Sequence, residues 1–255
     1  GWCGVIGDSE DPTLLVVGAA EHSLGRNIVE EAETSEYLFA SVVTAGINDE
    51  DVKMDVNNRA QIGEVLNNVC PDIVVCTVGV NEPSSVTDNH FALKMMDQFR
   101  VNVLGPLEIL QSLLTSPQNE DREGTVKKFV AISSNSARIP RTDSLAYCAS
   151  KAAFSMALRC AARDSARKNW GVQVWGYEPG LLAGTPMTRR TEAVYGNWEV
   201  GASGRVVPTP NLHRMEGVSP EGIPPTDLAR MIVRDVADYS RGMNGLLIPF
   251  DAGEL

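Results

Sequence analysis

The chain is 255 residues long, 43% hydrophobic and 22% charged, with a formal net charge of −11. That length suits one large domain over 1–255, and the balance is that of a globular protein rather than a disordered one. The acidic excess argues against nucleic acid as a partner, since phosphate binding needs a basic face, and reads as solubility.

In chain order, "TLLVVGAA" reads as a buried strand and "SLGRNIVEEA" as a helix. The runs "YLFASVVTAG" and "VKMDV" follow, then the helical "NRAQIGEVLNNV", the strand "DIVVCTVG" and the long helical "FALKMMDQFRVNVLGPLEILQSLL". "KKFVAISS", the alanine-rich "LAYCASKAAFSMALRCAARDSARKN", "VQVWGYEPG", "TDLARMIVRDVADYS" and "GLLIPFD" complete the alternation. Short β-branched runs without polar alternation are strands buried on both faces. Alternating with helices, they predict an α/β fold: a doubly wound, Rossmann-type parallel sheet of about seven strands with helices on both faces. Ligands of such a sheet sit beyond the carboxyl ends of its strands, here Gly18, Gly79, Ser134 and the pair Pro179 and Gly180.

The stretch 186–225 is too long for a plain connection and reads as a substrate lid. Its Arg189, Arg190, Arg205, His213 and Arg214 suit either an anionic substrate or plain solvation. No apolar run reaches the ~18 residues of a membrane span, and no signal peptide is visible. The five cysteines have no metal-ligand spacing and fit free thiols in a reducing compartment, so a cytoplasmic protein without a metal is expected.

Three stretches carry candidate chemistry. In "VVGAAEHSLGRNIVEEA" a strand runs through Gly18 and Gly25 into a helix, which is either a pyrophosphate cradle or a plain turn. Asp55, closing "VKMDV", could accept a hydrogen bond from an adenine amino group or cap the helix starting near Asn58. Tyr147 and Lys151 stand four apart on one helix face, thirteen and seventeen residues after Ser134. A neighbouring ammonium stabilises a phenolate, so the pair can do acid and base work while a serine at the same sheet edge holds a substrate oxygen.

"YCASK", Ser134 in "ISS" and Asn102 in "VNVLGP" together resemble the short-chain dehydrogenase/reductase family, of the small single-domain kind, from Leu14 to Gly253. The resemblance implies an oxidoreductase that moves a hydride between NAD or NADP and a carbonyl or alcohol substrate. It makes Tyr147 the acid or base and Ser134 the substrate-oxygen anchor. Lys151 lowers the tyrosine pKa and holds the nicotinamide ribose, while Asn102 relays protons to Lys151 through water held on its helix backbone. Cofactor contacts are implied for Gly18, Ser23, Leu24, Gly25, Asp55, Val56, Val78 and Gly79 on the adenosine and phosphate side. Tyr147, Lys151, Pro179, Gly180, Leu182 and Thr185 are implied on the nicotinamide side. A homodimer or homotetramer is also implied, joined through the helices carrying "FALKMMDQF" and the Tyr-Lys pair.

The chain departs from the family pattern at three places. The opening turn has Val17 for the threonine, Ser23 for the middle glycine and one extra residue; the fourth strand ends in "CTVG" without asparagines; and only "INDED" separates "SVVTAG" from "VKMDV". A crossover helix cannot fit in that space. These departures are what favour the alternative, a non-catalytic dinucleotide- or partner-binding protein on the same fold.

Overall fold

The computed structural model describes residues 11–35, 38–48, 50–115, 126–189 and 222–250, together with the backbone of 198–200 and 206–208. Strands β1 (Thr13–Val17), β2 (Ser41–Gly46), β3 (Val52–Lys53), β4 (Ile73–Cys76), β5 (Lys127–Ile132) and β6 (Val172–Pro179) alternate with helices α1 (Leu24–Thr34), α2 (Arg59–Val69), α3 (Phe91–Phe99), α4 (Gly105–Thr115) and α5 (Leu145–Lys168). A short antiparallel pair, β7 (Trp198–Val200) and β8 (Val206–Pro208), precedes α6 (Pro225–Ala237) and β9 (Leu247–Phe250). The main sheet has seven strands in the order β3-β2-β1-β4-β5-β6-β9, every pair parallel. Strand order therefore reverses between β1 and β4, which is where a doubly wound sheet opens its ligand crevice.

Alternation along β1 sends its side chains to two cores. Leu14 and Val16 join Ile28 and Val29 of α1 and Ile232 and Val233 of α6 on one face. Leu15 and Val17 join Ile62 and Leu66 of α2, Ile109 of α4 and Phe154 of α5 on the other. Every residue of β1, β4 and β5 is buried, as the apolar runs "LLVV", "IVVC" and "FVAI" predict, and the two lysines that open β5, Lys127 and Lys128, are buried with them.

The space between β2 and β3 holds no helix. β3 follows β2 in sequence and lies beside it in the sheet, pairing Ala45 with Val52 and Gly46 with Lys53. Asp51 is tied to β2: its carboxylate accepts from the Thr44 N–H and hydroxyl, both at 2.9 Å, and its own N–H donates to the Thr44 hydroxyl at 2.8 Å. The capping alternative for Asp55 does not hold. Asn58 caps α2 by accepting from the N–H groups of Ala60 and Gln61, because its side chain sits one residue before the first turn. Most of the lid expected at 186–225 lies outside the described residues, as does everything after Phe250.

Candidate active site

The glycine turn leaves β1 at Gly18, which adopts φ +91 and donates its N–H to Ala45 at 2.9 Å. Ser23, in place of the family's middle glycine, is the N-cap of α1: its hydroxyl accepts from the Arg26 N–H at 3.2 Å and donates back to Gly18 O at 3.2 Å. The first-turn N–H groups of Leu24 and Gly25 have no partner among the described residues. With the dipole of α1, such N–H groups could hold an anionic group such as a pyrophosphate. Gly25 is obligatory for a different reason, since a Cβ there would run into Gly18 O, the Thr77 hydroxyl and Ala19 Cα.

Thr77 replaces the asparagine side chains missing from "CTVG". Its hydroxyl lies 3.0 Å from Val17 O and 2.9 Å from Gly18 O, stitching the end of β4 to the glycine turn. Thr77→Val keeps the shape and removes the donor, so it should lower stability by about 1 kcal/mol and weaken dinucleotide binding. Urea unfolding and a binding titration check this; no change in either quantity would show that the stitch is idle. On the adenosine side, Asp55 folds into a turn, its Oδ1 accepting from the Asn57 backbone and side-chain amides at 2.9 and 3.1 Å. Its Oδ2 is uncommitted among the described residues, so the adenine-acceptor alternative stands. Val56 is buried against Gly105, where a Cβ would meet it at 2.9 Å.

At Gly79 the two halves of the site meet. A Cβ there would lie 3.3 Å from Lys151 Nζ, 3.5 Å from Asn102 Oδ1 and 3.7 Å from Met187 Cε. Val78, just before it, packs against Gly18. Asn102 is wholly buried in a π-helical segment, Arg100–Leu104, between α3 and α4. Its side chain pairs with the Val80 backbone in both directions, accepting from N–H at 2.7 Å and donating to C=O at 2.9 Å, and also donates to Ser150 Oγ at 2.9 Å. Ser150 in turn donates to the Tyr147 carbonyl at 2.8 Å. Asn102 thus ties the β4 loop to the helix that carries the Tyr-Lys pair. π-Helical turns shift the backbone register and are frequent at functional sites.

Ser134, just past the end of β5, starts a short 3-10 turn by accepting from the Ser136 N–H at 3.1 Å, and its side chain acts on the Tyr147 phenol, lowering its pKa. Lys151 donates from Nζ to Ile132 O at 2.9 Å and stands 5.8 Å from the Tyr147 ring centroid. The four residues expected to act together are therefore gathered in one buried corner. Burial sets the electrostatics there. It pushes the Lys151 ammonium down to about 8, opposed by the Cys76 thiol, which burial itself pushes up to about 11. Burial also raises the Tyr147 phenol above its usual range; the Ser134 hydrogen bond and the Arg141 charge oppose that rise. Arg141 is one charge that lowers the phenol, and Lys151 donates one of its three N–H groups to Ile132 O while standing beside the Tyr147 ring. A raised phenol is protonated at neutral pH, the state of a proton donor.

At the end of β6, Pro179 pairs with Phe250 and the Gly180 N–H donates to Phe250 O at 3.0 Å. Leu182 bridges to Ile223. The Thr185 hydroxyl is engaged with Thr188, to whose hydroxyl it donates at 3.0 Å, so it starts the helical turn at 186–189 that brings Met187 to Gly79. Several supporting residues carry no motif. Ser133 holds Lys151 O at 3.3 Å and Ser155 at 2.7 Å; Ser155 donates to buried Glu178 at 2.8 Å, and Glu178 pairs with Arg138 at 2.6 Å. Arg141 is held by Ser136 and Asn135, both at 2.8 Å. The two arginines follow Ser134 within one strand-end loop, which is the signal that marks them.

Among curated proteins, no sequence matches the chain. A short chain dehydrogenase family protein from Francisella tularensis is 20% identical with a TM-score of 0.75, covering 95% of this chain and 98% of its own. Actinorhodin polyketide ketoreductase, solved with NADPH, is 16% identical with a TM-score of 0.76, covering 95% and 97%. The 3-ketoacyl-(acyl-carrier-protein) reductase from Brucella melitensis, complexed with NADH, is 17% identical with a TM-score of 0.71, covering 95% and 97%. At these identities the likeness is one of fold. The family model for short chain dehydrogenases, however, matches residues 14–195, most of the chain and all four of the gathered residues; the chain belongs to the short-chain dehydrogenase family.

Proposed function

We propose that the protein is an NAD(P)-dependent oxidoreductase acting on a carbonyl or alcohol carbon, built as one nucleotide-binding unit on its seven-stranded sheet. The observation that carries this reading is the gathering of Lys151 and Asn102 around Gly79, with the Tyr147 ring beside Lys151 and Ser134 acting on its phenol, at the crevice where strand order reverses. The residues present fit a dinucleotide: unpartnered N–H groups at the start of α1 for its phosphates, Asp55 for its adenine, and the Gly79 corner for its nicotinamide half. The similar proteins solved with NADPH or NADH support the same cofactor class.

The bound cofactor supplies or accepts the hydride. In the reducing direction, Ser134 donates to the substrate carbonyl oxygen and Tyr147 gives that oxygen its proton as the carbon gains the hydride. In the oxidising direction Tyr147 takes the hydroxyl proton. Lys151 holds the nicotinamide ribose, and Asn102 keeps Gly79 and Val80 in place beside it. The test is reduced-nicotinamide consumption with a panel of carbonyl compounds, run with the wild type and with Tyr147→Phe. Turnover that survives the substitution would overturn the mechanism.

We also propose a homo-oligomer joined through α3 and α5, since Leu93 and Met96 on the first and Met156 on the second are exposed apolar side chains on adjacent helices. Light scattering should give a multiple of the chain mass that falls in a Met96→Glu, Met156→Glu double variant; a wild-type monomer would sink the idea.

A further inference from the structure

We infer that Glu50 makes the protein select NAD over NADP, by placing a carboxylate where the 2′-phosphate of NADP would have to lie. This rests on the dinucleotide-binding reading above. In doubly wound sheets the adenosine ribose lies beyond the end of the second strand, where a carboxylate accepts from its hydroxyls or an arginine receives a 2′-phosphate. Here the registers Val17 to Ala45 and the Gly18 N–H bond to Ala45 O place Gly46, the last residue of β2, beside the glycine turn. Neither Ala45 nor Gly46 has a polar side chain to offer a ribose.

The short connection supplies one instead. With no crossover helix between β2 and β3, the Glu50 carboxylate comes to rest on Gly46, where any Cβ would collide with Oε1 and Cδ. One oxygen, Oε2, is fixed by the Asn48 N–H at 2.8 Å. The other, Oε1, has no hydrogen-bond partner among the described residues, so it is oriented and available to accept from a ribose hydroxyl. The neighbouring Asp51 is committed to Thr44 and cannot take this role. Of the basic side chains nearby, Lys53 of β3 pairs with Gly46 but is exposed, and His22 stands 3.4 Å from Glu21. A fixed carboxylate favours a diol, which can donate to it, and repels a phosphate, which cannot.

The experiment is direct titration of the protein with NADH and with NADPH, read by protein fluorescence and so independent of turnover, for the wild type and Glu50→Gln. NADH should bind the wild type at least about tenfold more tightly than NADPH, and Glu50→Gln should shrink that ratio by about tenfold, chiefly by improving NADPH. Equal binding, a preference for NADPH, or an unchanged ratio in Glu50→Gln would overturn the inference while leaving the oxidoreductase reading intact. Binding of neither would overturn the dinucleotide reading, and this inference with it.

Discussion

Tyr147→Phe should lower turnover by about 10²- to 10⁴-fold, the usual contribution of a positioned proton donor, while dinucleotide binding stays near the wild-type value. The Tyr147 side chain is buried, so phenylalanine keeps the ring packing and loses only the hydroxyl with its transferable proton. Ser134 can still hold the substrate oxygen, and for that reason KM should move much less than kcat. Steady-state kinetics beside a binding titration separates these quantities. A kcat within threefold of wild type, taken as roughly the scatter expected for a non-catalytic side chain, would remove Tyr147 from the chemistry.

Asn102→Leu should be the most destabilising single change at the site, costing about 2 to 4 kcal/mol. Leucine has nearly the same volume, yet it strips partners from the Val80 N–H and C=O and from the Ser150 hydroxyl together. Urea unfolding should show a lower midpoint with an unchanged slope. The loss should also reach catalysis, because Gly79 and Val80 would no longer be held beside Lys151. Asn102→Asp separates the two effects: it retains the acceptor for the Val80 N–H but not the donors, and should fall between. A leucine variant as stable as the wild type would show that the Asn102 bonds contribute nothing net.

Much of this arrangement could be read from residue order. The strands showed because they are buried on both faces and so carry unbroken apolar runs, as β1 and β4 do. Tyr147, Lys151 and Ser134 showed because helix periodicity and a strand end force them to one edge. Other parts were hidden for a physical reason: they depend on where the backbone passes, not on periodicity. Thr77 and Glu50 act through contacts with the glycine turn and with Gly46, from elements that only the tertiary fold brings together. Arg141 carries no sequence signal of its own, because its bearing on Tyr147 runs through a loop held by Ser136 and Asn135. In sequence Asp55 suits the cap of α2 as one alternative; the geometry of the preceding turn hands it to Asn58.

Losing the crossover helix beside β2 has a consequence for how the molecule behaves among its own copies. Val42 and Val43 are only partly buried, so that flank of the sheet is less covered than its centre. An open flank ending in a long strand would be a template on which another chain could add itself and begin to aggregate. β3 offers just two residues, and one of them is the exposed Lys53. A stub that short, carrying a charge, gives an incoming strand almost no ladder to extend, so the economy in chain length is achieved without leaving a sticky border.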